Sequence, residues 1–190
     1  MQASQRIGRE IRRECDPKAV ISFLKCFSSR IERILEDKFM IKCIKKDDRV
    51  LISVYSPKTM KHILEKLDEA YLYWAGIQIA MLHEDKVIPA LGALSLLELA
   101  GIERNFVVVN ERGEKLFLYG RDLFKNSIKE AHLENLSCTR GIVIVLNEEM
   151  IGLGWGRVKN PRFNRRTKKV IEFDYIENLI DLGWYLRSGV

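Results

Sequence analysis

The chain has 190 residues, of which 47% are hydrophobic and 31% are charged, and its formal net charge is +6. This composition excludes an intrinsically disordered chain, and the length allows two small domains with cores of their own. No run of about 20 apolar residues occurs, and residues 1–15 are polar and arginine-rich, so neither a transmembrane helix nor a secretory signal is predicted. We therefore expect a soluble, cytoplasmic protein that does not bind membranes, with residues 1–15 as a basic N-terminal extension.

The four cysteines lie far apart in the sequence, at Cys15, Cys26, Cys43 and Cys138. No two of them have the CxxC spacing, and no histidine stands at zinc-ligand spacing from any of them. Neither a zinc site nor a disulfide framework is predicted, and reduced thiols in a cytosol fit this pattern best. No cofactor is expected.

The N-terminal half begins with a strong helical pattern. Asp16 and Pro17 match a helix start, and the apolar residues between positions 20 and 35 recur at helical spacing, which predicts one long amphipathic helix. Two β-rich runs at 39–44 and 49–55 flank a short polar segment. They predict a pair of strands joined by a tight turn.

The pattern then alternates between helix and strand. Ser56-Pro57 starts a second predicted helix, and residues 74–82 predict a strand that is followed by a turn at 83–85 and another strand. Residues 92–100 look helical, and Gly101 is typical of a helix end. We therefore predict an α/β domain over residues 16–103.

From residue 104 onward the pattern changes to short β-rich runs. Strands are predicted at 106–109, 116–119, 142–146, 151–158 and 170–173. A turn is predicted at 110–113 and a C-terminal helix capped by Asp174. A small barrel is a natural way to close so many short strands. The predicted fold class is α+β, in which an N-terminal α/β domain is followed by a C-terminal β pseudo-barrel over residues 104–190.

No catalytic constellation can be assembled from the sequence. The GxGxG motif at 152–156 lacks the lysine and hydroxyl residue of a P-loop, and we interpret its glycines as bending a strand at a barrel corner. Carboxylate pairs at 47–48 and 148–149 fall in predicted turns. The histidines have no acidic or cysteine companion at ligand spacing; they are His62, His83 and His132. The protein is therefore predicted not to be an enzyme.

Basic side chains are concentrated within residues 157–169, which we call the basic strip and which contain no acidic residue. Its cations are Arg157, Lys159, Arg162, Arg165, Arg166, Lys168 and Lys169. An RNA backbone requires several cations along one surface, and Trp155, Phe163 and Asn164 are candidates for stacking on bases or hydrogen bonding to them. The alternative is a solvated, flexible loop between two strands.

Several segments of the C-terminal half together resemble a PUA domain. They are FVVV at 106–109, FLYGRDLFKNSI at 117–128, RGIVIV at 140–145 and IGLGWG at 151–156. PUA domains are small pseudo-barrels found in pseudouridine synthases and archaeosine transglycosylases, and they bind RNA. More narrowly, FLYG with the lysine after it, and GIVIV followed by IGLGWG, resemble the Nip-seven family of ribosome-assembly proteins, in its archaeal form.

The resemblance implies a non-enzymatic protein that acts in the maturation of large-subunit ribosomal RNA. Archaeal members bind uridine-rich RNA through basic residues in the C-terminal part of the PUA domain, the region that Arg165, Arg166, Lys168 and Lys169 occupy here. It also implies that the N-terminal domain docks another ribosome-assembly protein.

Two other function classes remain open. One is an RNA-modifying enzyme, or its accessory subunit, that uses the PUA domain for targeting. The other is a scaffold whose basic strip contacts an acidic protein surface.

Overall fold

A computed structural model describes residues 17–58, 76–84, 86–164, 166 and 169–188. The helices in this part of the chain are α1 (Lys18–Lys25), α2 (Ile31–Lys38), α3 (Gly92–Ala100), α4 (Glu111–Leu118), α5 (Leu136–Thr139) and α6 (Trp184–Arg187). The strands of the N-terminal half are β1 (Met40–Lys46), β2 (Arg49–Tyr55), β3 (Ile77–His83) and β4 (Lys86–Pro89). Those of the C-terminal half are β5 (Phe106–Val109), β6 (Leu123–Phe124), β7 (Ile128–His132), β8 (Ile142–Leu146), β9 (Gly152–Lys159), β10 (Arg162–Phe163), β11 (Val170–Glu172) and β12 (Tyr175–Asp181). None of the helices in the described ranges is both long and apolar enough to cross a bilayer.

The N-terminal half contains an antiparallel meander of β1 to β4 in sequence order. The strand pair predicted at 39–44 and 49–55 is confirmed, although β1 extends to Lys46 and only Asp47 and Asp48 form the turn. The helix predicted at 92–100 is confirmed as α3, and Gly101 follows it with a φ of 82°. A glycine at this point ends the helix without the steric cost that a β-carbon would incur at positive φ.

The prediction of one long N-terminal helix is wrong, because α1 and α2 are separate helices. α1 ends at Lys25, and Ser28 and Ser29, in the link that leads to α2, have side chains that bond to residues outside both helices. Ser28 Oγ donates to the Ala100 carbonyl oxygen at 3.4 Å, and Ser29 Oγ donates to Glu103 Oε1 at 2.8 Å. Serine side chains offer the backbone such alternatives to helical bonding. Of the helix predicted after Ser56, residues 57 and 58 are helical and 59–75 lie outside the described residues.

The C-terminal half is built on a six-stranded sheet in the order β6-β12-β9-β8-β5-β7. Neighbouring strands are antiparallel except for β5 and β8, which are parallel. The sheet curves into a nearly closed, barrel-like layer. The predicted fold class, an α/β half followed by a small β pseudo-barrel, is therefore confirmed.

Two predictions for residues 110–119 are wrong, since the turn and the following strand are replaced by α4. The side-chain oxygen of Asn110 accepts a hydrogen bond from the Gly113 backbone N–H at 2.8 Å and so caps the helix. Glu111 and Glu114 lie in the first turn, where the helix dipole favours negative charge. Of the apolar residues that indicated a strand, only Phe117 is fully buried, and it lies one turn after the buried Gly113 on the same face of α4.

The predicted C-terminal helix from Asp174 onward is also wrong. Residues 175–181 form β12, and only α6 after it is helical. In β12 the side chain of Ile176 is fully buried, whereas Tyr175 and Glu177 on either side of it are partly exposed. This alternation has the period of a strand that pairs with β9 on one side and β6 on the other.

The two central strands β5 and β8 are buried on both faces. Alternate residues such as Phe106 and Ile144 belong to the core shared with the N-terminal half, while Val107 and Val143 face the barrel interior. Burial on both faces explains why FVVV and IVIVL are uninterrupted apolar runs. The N-terminal half therefore packs directly on the outer face of the barrel sheet.

The glycines of the GxGxG motif allow β9 to lie close to its neighbours. A β-carbon on Gly154 would be 2.3 Å from the Ile180 carbonyl oxygen, and one on Gly156 would be 2.4 Å from Ile176 Cγ2. The partner strand β12 has an irregular register between Asn178 and Ile180, opposite this region. Close strand packing is the role of these glycines, and no helix follows β9 as a nucleotide-binding loop would require.

The expectation of reduced, unpaired cysteines is wrong for the cysteines that the structure describes. Cys43 is disulfide-bonded, and so are Cys26 and Cys138. The fold joins Cys26 to Cys138 in a disulfide across a sequence separation of 112 residues, with a Cα–Cα distance of 6.1 Å. Cys26 follows α1 and Cys138 lies in α5, so the bond links the two halves. Sequence spacing could not indicate it, because only the packing of the halves brings the two sulfurs together.

Candidate nucleic-acid interface

The basic strip begins in the last residues of β9 and continues along the excursion of chain between β9 and β12. Within it, β10 and β11 form an antiparallel hairpin in which Arg162 pairs with Glu172. The Asn164 backbone N–H donates to the Lys169 carbonyl oxygen at 2.8 Å, which holds the ends of the connecting segment together. The described part of the strip is thus a strand followed by a hairpin, rather than an unstructured loop.

The first two cations of the strip lie on the outer face of β9. Trp155, Arg157 and Lys159 occupy alternate positions on this strand and share a face. Trp155 is fully buried against the N-terminal half, while Arg157 and Lys159 are partly exposed farther along. The expectation that Trp155 is available to stack on a base is therefore wrong. Phe163, which is 45% exposed in β10, remains accessible.

Acidic residues from β11 and β12 lie beside the strip, although the strip itself contains none. Glu177 Oε2 is 3.7 Å from an Arg157 guanidinium nitrogen and 3.4 Å from Lys159 Nζ. Counting charges along the sequence missed this, because cross-strand pairing brings these residues together. Part of the positive charge is consequently balanced within the protein.

Glu172 makes a similar contact with two cations. It accepts hydrogen bonds from Lys125 Nζ at 2.7 Å and from an Arg162 guanidinium nitrogen at 2.8 Å. The hydrogen bond and charge of Lys125, followed by the charge of Arg162, hold the pKa of Glu172 below its usual range. Glu172 thus ties the hairpin to the end of β6 and fixes two cations on the same surface.

The remaining cations of the strip belong to the hairpin segment. Arg166 and Lys169 are exposed, and the Arg166 backbone N–H donates to Asn164 Oδ1 at 2.9 Å. Arg165 and Lys168 lie outside the described residues. The structure brings Arg157 and Lys159 together at Glu177, and it brings Arg162 together with Lys125 at Glu172. Arg166 and Lys169 follow Arg162 on the same excursion.

Sequence reasoning missed three residues of this surface: Phe124, Lys125 and Tyr175. Phe124 is directly opposite Tyr175 in the pairing of β6 with β12, and their ring centroids are 5.7 Å apart. The alternation of residues 175–181 could have shown that Tyr175 lies on a strand, but this segment was predicted to be a helix. A two-residue strand such as β6 leaves no period that could reveal Phe124.

A histidine and a carboxylate meet on the N-terminal sheet. His83 Nε2 is 2.7 Å from Asp48 Oδ2, and this hydrogen bond is the main cause of the lowered pKa of Asp48. The sequence separation of 35 residues hid this contact. Asp48 lies in the turn between β1 and β2, and His83 lies at the end of β3. The pair does not form part of a metal site, because no group of three or more potential metal ligands occurs within the described ranges.

Comparison with known proteins places the chain in a family. A family model described as the UPF0113 PUA domain matches residues 105–190. A UPF0113 protein of Aeropyrum pernix is 32% identical over 136 residues, which cover 71% of this chain and 68% of that relative. The chain belongs to the UPF0113 family.

A second UPF0113 relative, from Archaeoglobus fulgidus, is 35% identical over 119 residues. That match covers 60% of this chain and 62% of the relative, so the chain spans less than two thirds of the relative's length. A solved structure of a conserved PUA-domain protein from Thermoplasma acidophilum aligns with a TM-score of 0.47 and 16% identity, over 92% of this chain and 96% of that one. The resemblance of the C-terminal half to a PUA domain is thus confirmed by the family match.

Proposed function

We propose that this UPF0113 protein binds single-stranded, uridine-rich RNA through its PUA domain and acts in the maturation of large-subunit ribosomal RNA. The observation that carries the proposal is the placement of the basic strip on the outer face of β9 and on the hairpin that follows, on a domain of the PUA class. Cations held along one surface match the spacing requirement of a phosphate backbone. The preference for uridine and the ribosomal role come from the resemblance to the Nip-seven family.

The charge balance of the interface supports contacts with phosphate as the main source of affinity. Arg157, Lys159 and Arg162 have acidic partners, so each contributes less than a free cation would. Binding of this kind weakens with salt, because each phosphate contact releases counterions. We expect moderate affinity with a clear salt dependence.

The N-terminal half is proposed to dock another ribosome-assembly protein. A row of partly exposed apolar side chains crosses all four strands of its sheet, in the order Ile44, Leu51, Met81 and Ile88. An apolar row on a sheet face is a surface that a protein partner can cover. The partner is expected to copurify with the wild-type chain from its own organism and to be lost from a Met81→Lys variant with unchanged melting temperature.

The protein is proposed to act by stoichiometric binding and not by catalysis. The enzyme alternative would have to use the N-terminal half, where Asp48 and His83 are an acid and a base in direct contact among the described residues. Incubation of the pure protein with RNA and methyl donors, followed by nucleoside mass spectrometry, should give no modified nucleoside. Turnover that is lost in a His83→Gln variant would establish the enzyme instead.

The ribosomal role is tested by crosslinking the protein to RNA in cells and sequencing the bound fragments. Enrichment of large-subunit ribosomal RNA and its precursors is expected. Enrichment of transfer RNA, or fragments that follow RNA abundance alone, would contradict the proposal.

A further inference from the structure

Two aromatic side chains form a pair at the free edge of the barrel sheet. Phe124 and Tyr175 are cross-strand partners, their ring planes are inclined by 36°, and Phe124 is 60% exposed. In the next row Leu123 and Ile176 are fully buried. The aromatic pair therefore lies on the outer face of the sheet, away from the barrel core. Isolated exposed apolar residues are common, so exposure alone would indicate nothing.

Cations flank this aromatic pair on both sides. Tyr175 pairs across β12 and β9 with Lys159, so Phe124, Tyr175 and Lys159 form one row that spans about 10 Å over three strands. Lys125 directly follows Phe124, and Glu172 holds it and Arg162 in place. An aromatic surface of two tilted rings thus lies between positive charges at the start of the basic strip.

We propose that Phe124 and Tyr175 form a stacking platform for a base of the bound RNA strand, while Lys125, Lys159 and Arg162 contact the adjacent phosphates. Nucleobases stack on aromatic side chains in many single-strand complexes, and the backbone on either side of the base requires cations. An acidic protein segment would match the cations alone, whereas a nucleotide matches both the rings and the charges. The proposal rests on RNA binding by the PUA domain and assigns base contacts to a part of it outside the basic strip.

The test compares two probes of equal charge on the full chain: a uridine decamer and a decamer of abasic residues with the same number of phosphates. A Phe124→Leu variant removes the ring but keeps an apolar residue in β6. We expect it to bind the uridine decamer about 5- to 150-fold more weakly, which is the range for loss of one stacked base. Its affinity for the abasic decamer and its salt dependence should equal those of the wild type.

A matched control replaces an exposed aromatic residue elsewhere on the PUA domain. Tyr119→Leu alters a ring that is 74% exposed beside α4, and it should leave binding of both probes unchanged. A Lys125→Gln variant should lose affinity for both probes and show a smaller salt slope. Melting curves establish that each variant is folded.

The outcomes separate the platform from RNA binding itself. If the wild type binds the uridine decamer in a salt-dependent way but Phe124→Leu binds it equally well, the platform is overturned and RNA binding by the basic strip stands. Equal losses on both probes would also overturn stacking, since the abasic decamer has no bases. If the wild type binds neither probe, the proposed function fails and the platform fails with it.

Discussion

The indole Nε1 of Trp155 donates a hydrogen bond to the backbone carbonyl oxygen of Ala90 at 3.0 Å. Trp155 lies in β9 of the PUA domain, and Ala90 lies between β4 and α3 of the N-terminal half. The same side chain packs edge-on against Phe27, with ring centroids 5.3 Å apart. The two halves therefore share one continuous core, and experiments on RNA binding are best done on the whole chain.

This relationship predicts that Trp155→Phe lowers the free energy of unfolding by about 1–3 kcal/mol, because the Ala90 carbonyl loses its donor inside the core. Thermal melting would show the change, and RNA affinity measured below the transition should stay the same. Tyr119→Phe is the control, since Tyr119 is 74% exposed. An unchanged melting temperature for Trp155→Phe would contradict the structural role given to this bond.

The Cys26–Cys138 disulfide should stabilise the packing of the two halves. Closing a loop of more than 100 residues restricts the unfolded chain, and loss of such a bond costs about 2–4 kcal/mol. Cys138→Ser should therefore melt at a lower temperature than the wild type. Peptide mapping without reductant should recover the Cys26 and Cys138 peptides as one linked species, and alkylation of both cysteines in the native protein would disprove the bond.

Glu103 predicts a pH dependence of stability. The Ser29 backbone N–H donates to it at 3.1 Å, and this bond, together with the Ser29 hydroxyl, lowers the pKa of Glu103 in the folded state. A lowered folded pKa gives stabilisation that is present above the unfolded value, about 4.3 for glutamate, and is lost as pH falls through the folded value.

Melting temperatures of the wild type and Glu103→Gln should accordingly differ at pH 7 and converge at acidic pH, once Glu103 is protonated in the folded state. Glu134→Gln, an exposed substitution, serves as the control and should follow the wild type throughout. If the difference in melting temperature between the wild type and Glu103→Gln instead stays constant from pH 7 to acidic pH, the carboxylate charge does not stabilise the contact with Ser29.

Removing the acid that pairs with two cations should strengthen RNA binding. In Glu172→Gln, Lys125 and Arg162 lose their charged partner, so their attraction for phosphate is no longer weakened by a neighbouring carboxylate and RNA affinity should rise. Glu148→Gln is a matched control, because Glu148 pairs with Lys129 at the same 2.7 Å distance as Glu172 with Lys125. Equal or weaker binding by a folded Glu172→Gln would mean that these cations do not face the RNA.

Local patterns predicted much of the fold. The β1–β2 hairpin, α3, β5, β8 and β9 each have a period or an uninterrupted apolar run that reflects their burial. Elements that depend on single side-chain bonds were missed, because those bonds form across the fold. Ser28 bonds to Ala100 in the link between α1 and α2, and Asn110 starts α4 within a segment that otherwise looks like a strand.

The candidate site could be predicted only in part for the same reason. The cations of the basic strip are adjacent in sequence, so composition reveals them. Glu172 and Glu177, which balance some of that charge, and Phe124, which faces Tyr175, reach the surface from other strands. Trp155 was wrongly predicted to contact RNA. The sequence of β9 does not indicate which residues on its outer face are covered by the N-terminal half.

The most direct test of RNA binding by the basic strip is the salt dependence of affinity for a uridine decamer, measured for the wild type and for a variant with alanine at Arg165, Arg166, Lys168 and Lys169. Each lost phosphate contact on a single strand reduces the slope by about 0.7, so four contacts would remove nearly 3 units. Substitutions at exposed positions such as Arg166 and Lys169 change stability by less than about 0.5 kcal/mol. We expect a strong loss of affinity, a smaller slope and a normal melting curve. Unchanged affinity and slope in a normally folded variant would contradict the assignment of RNA binding to the strip.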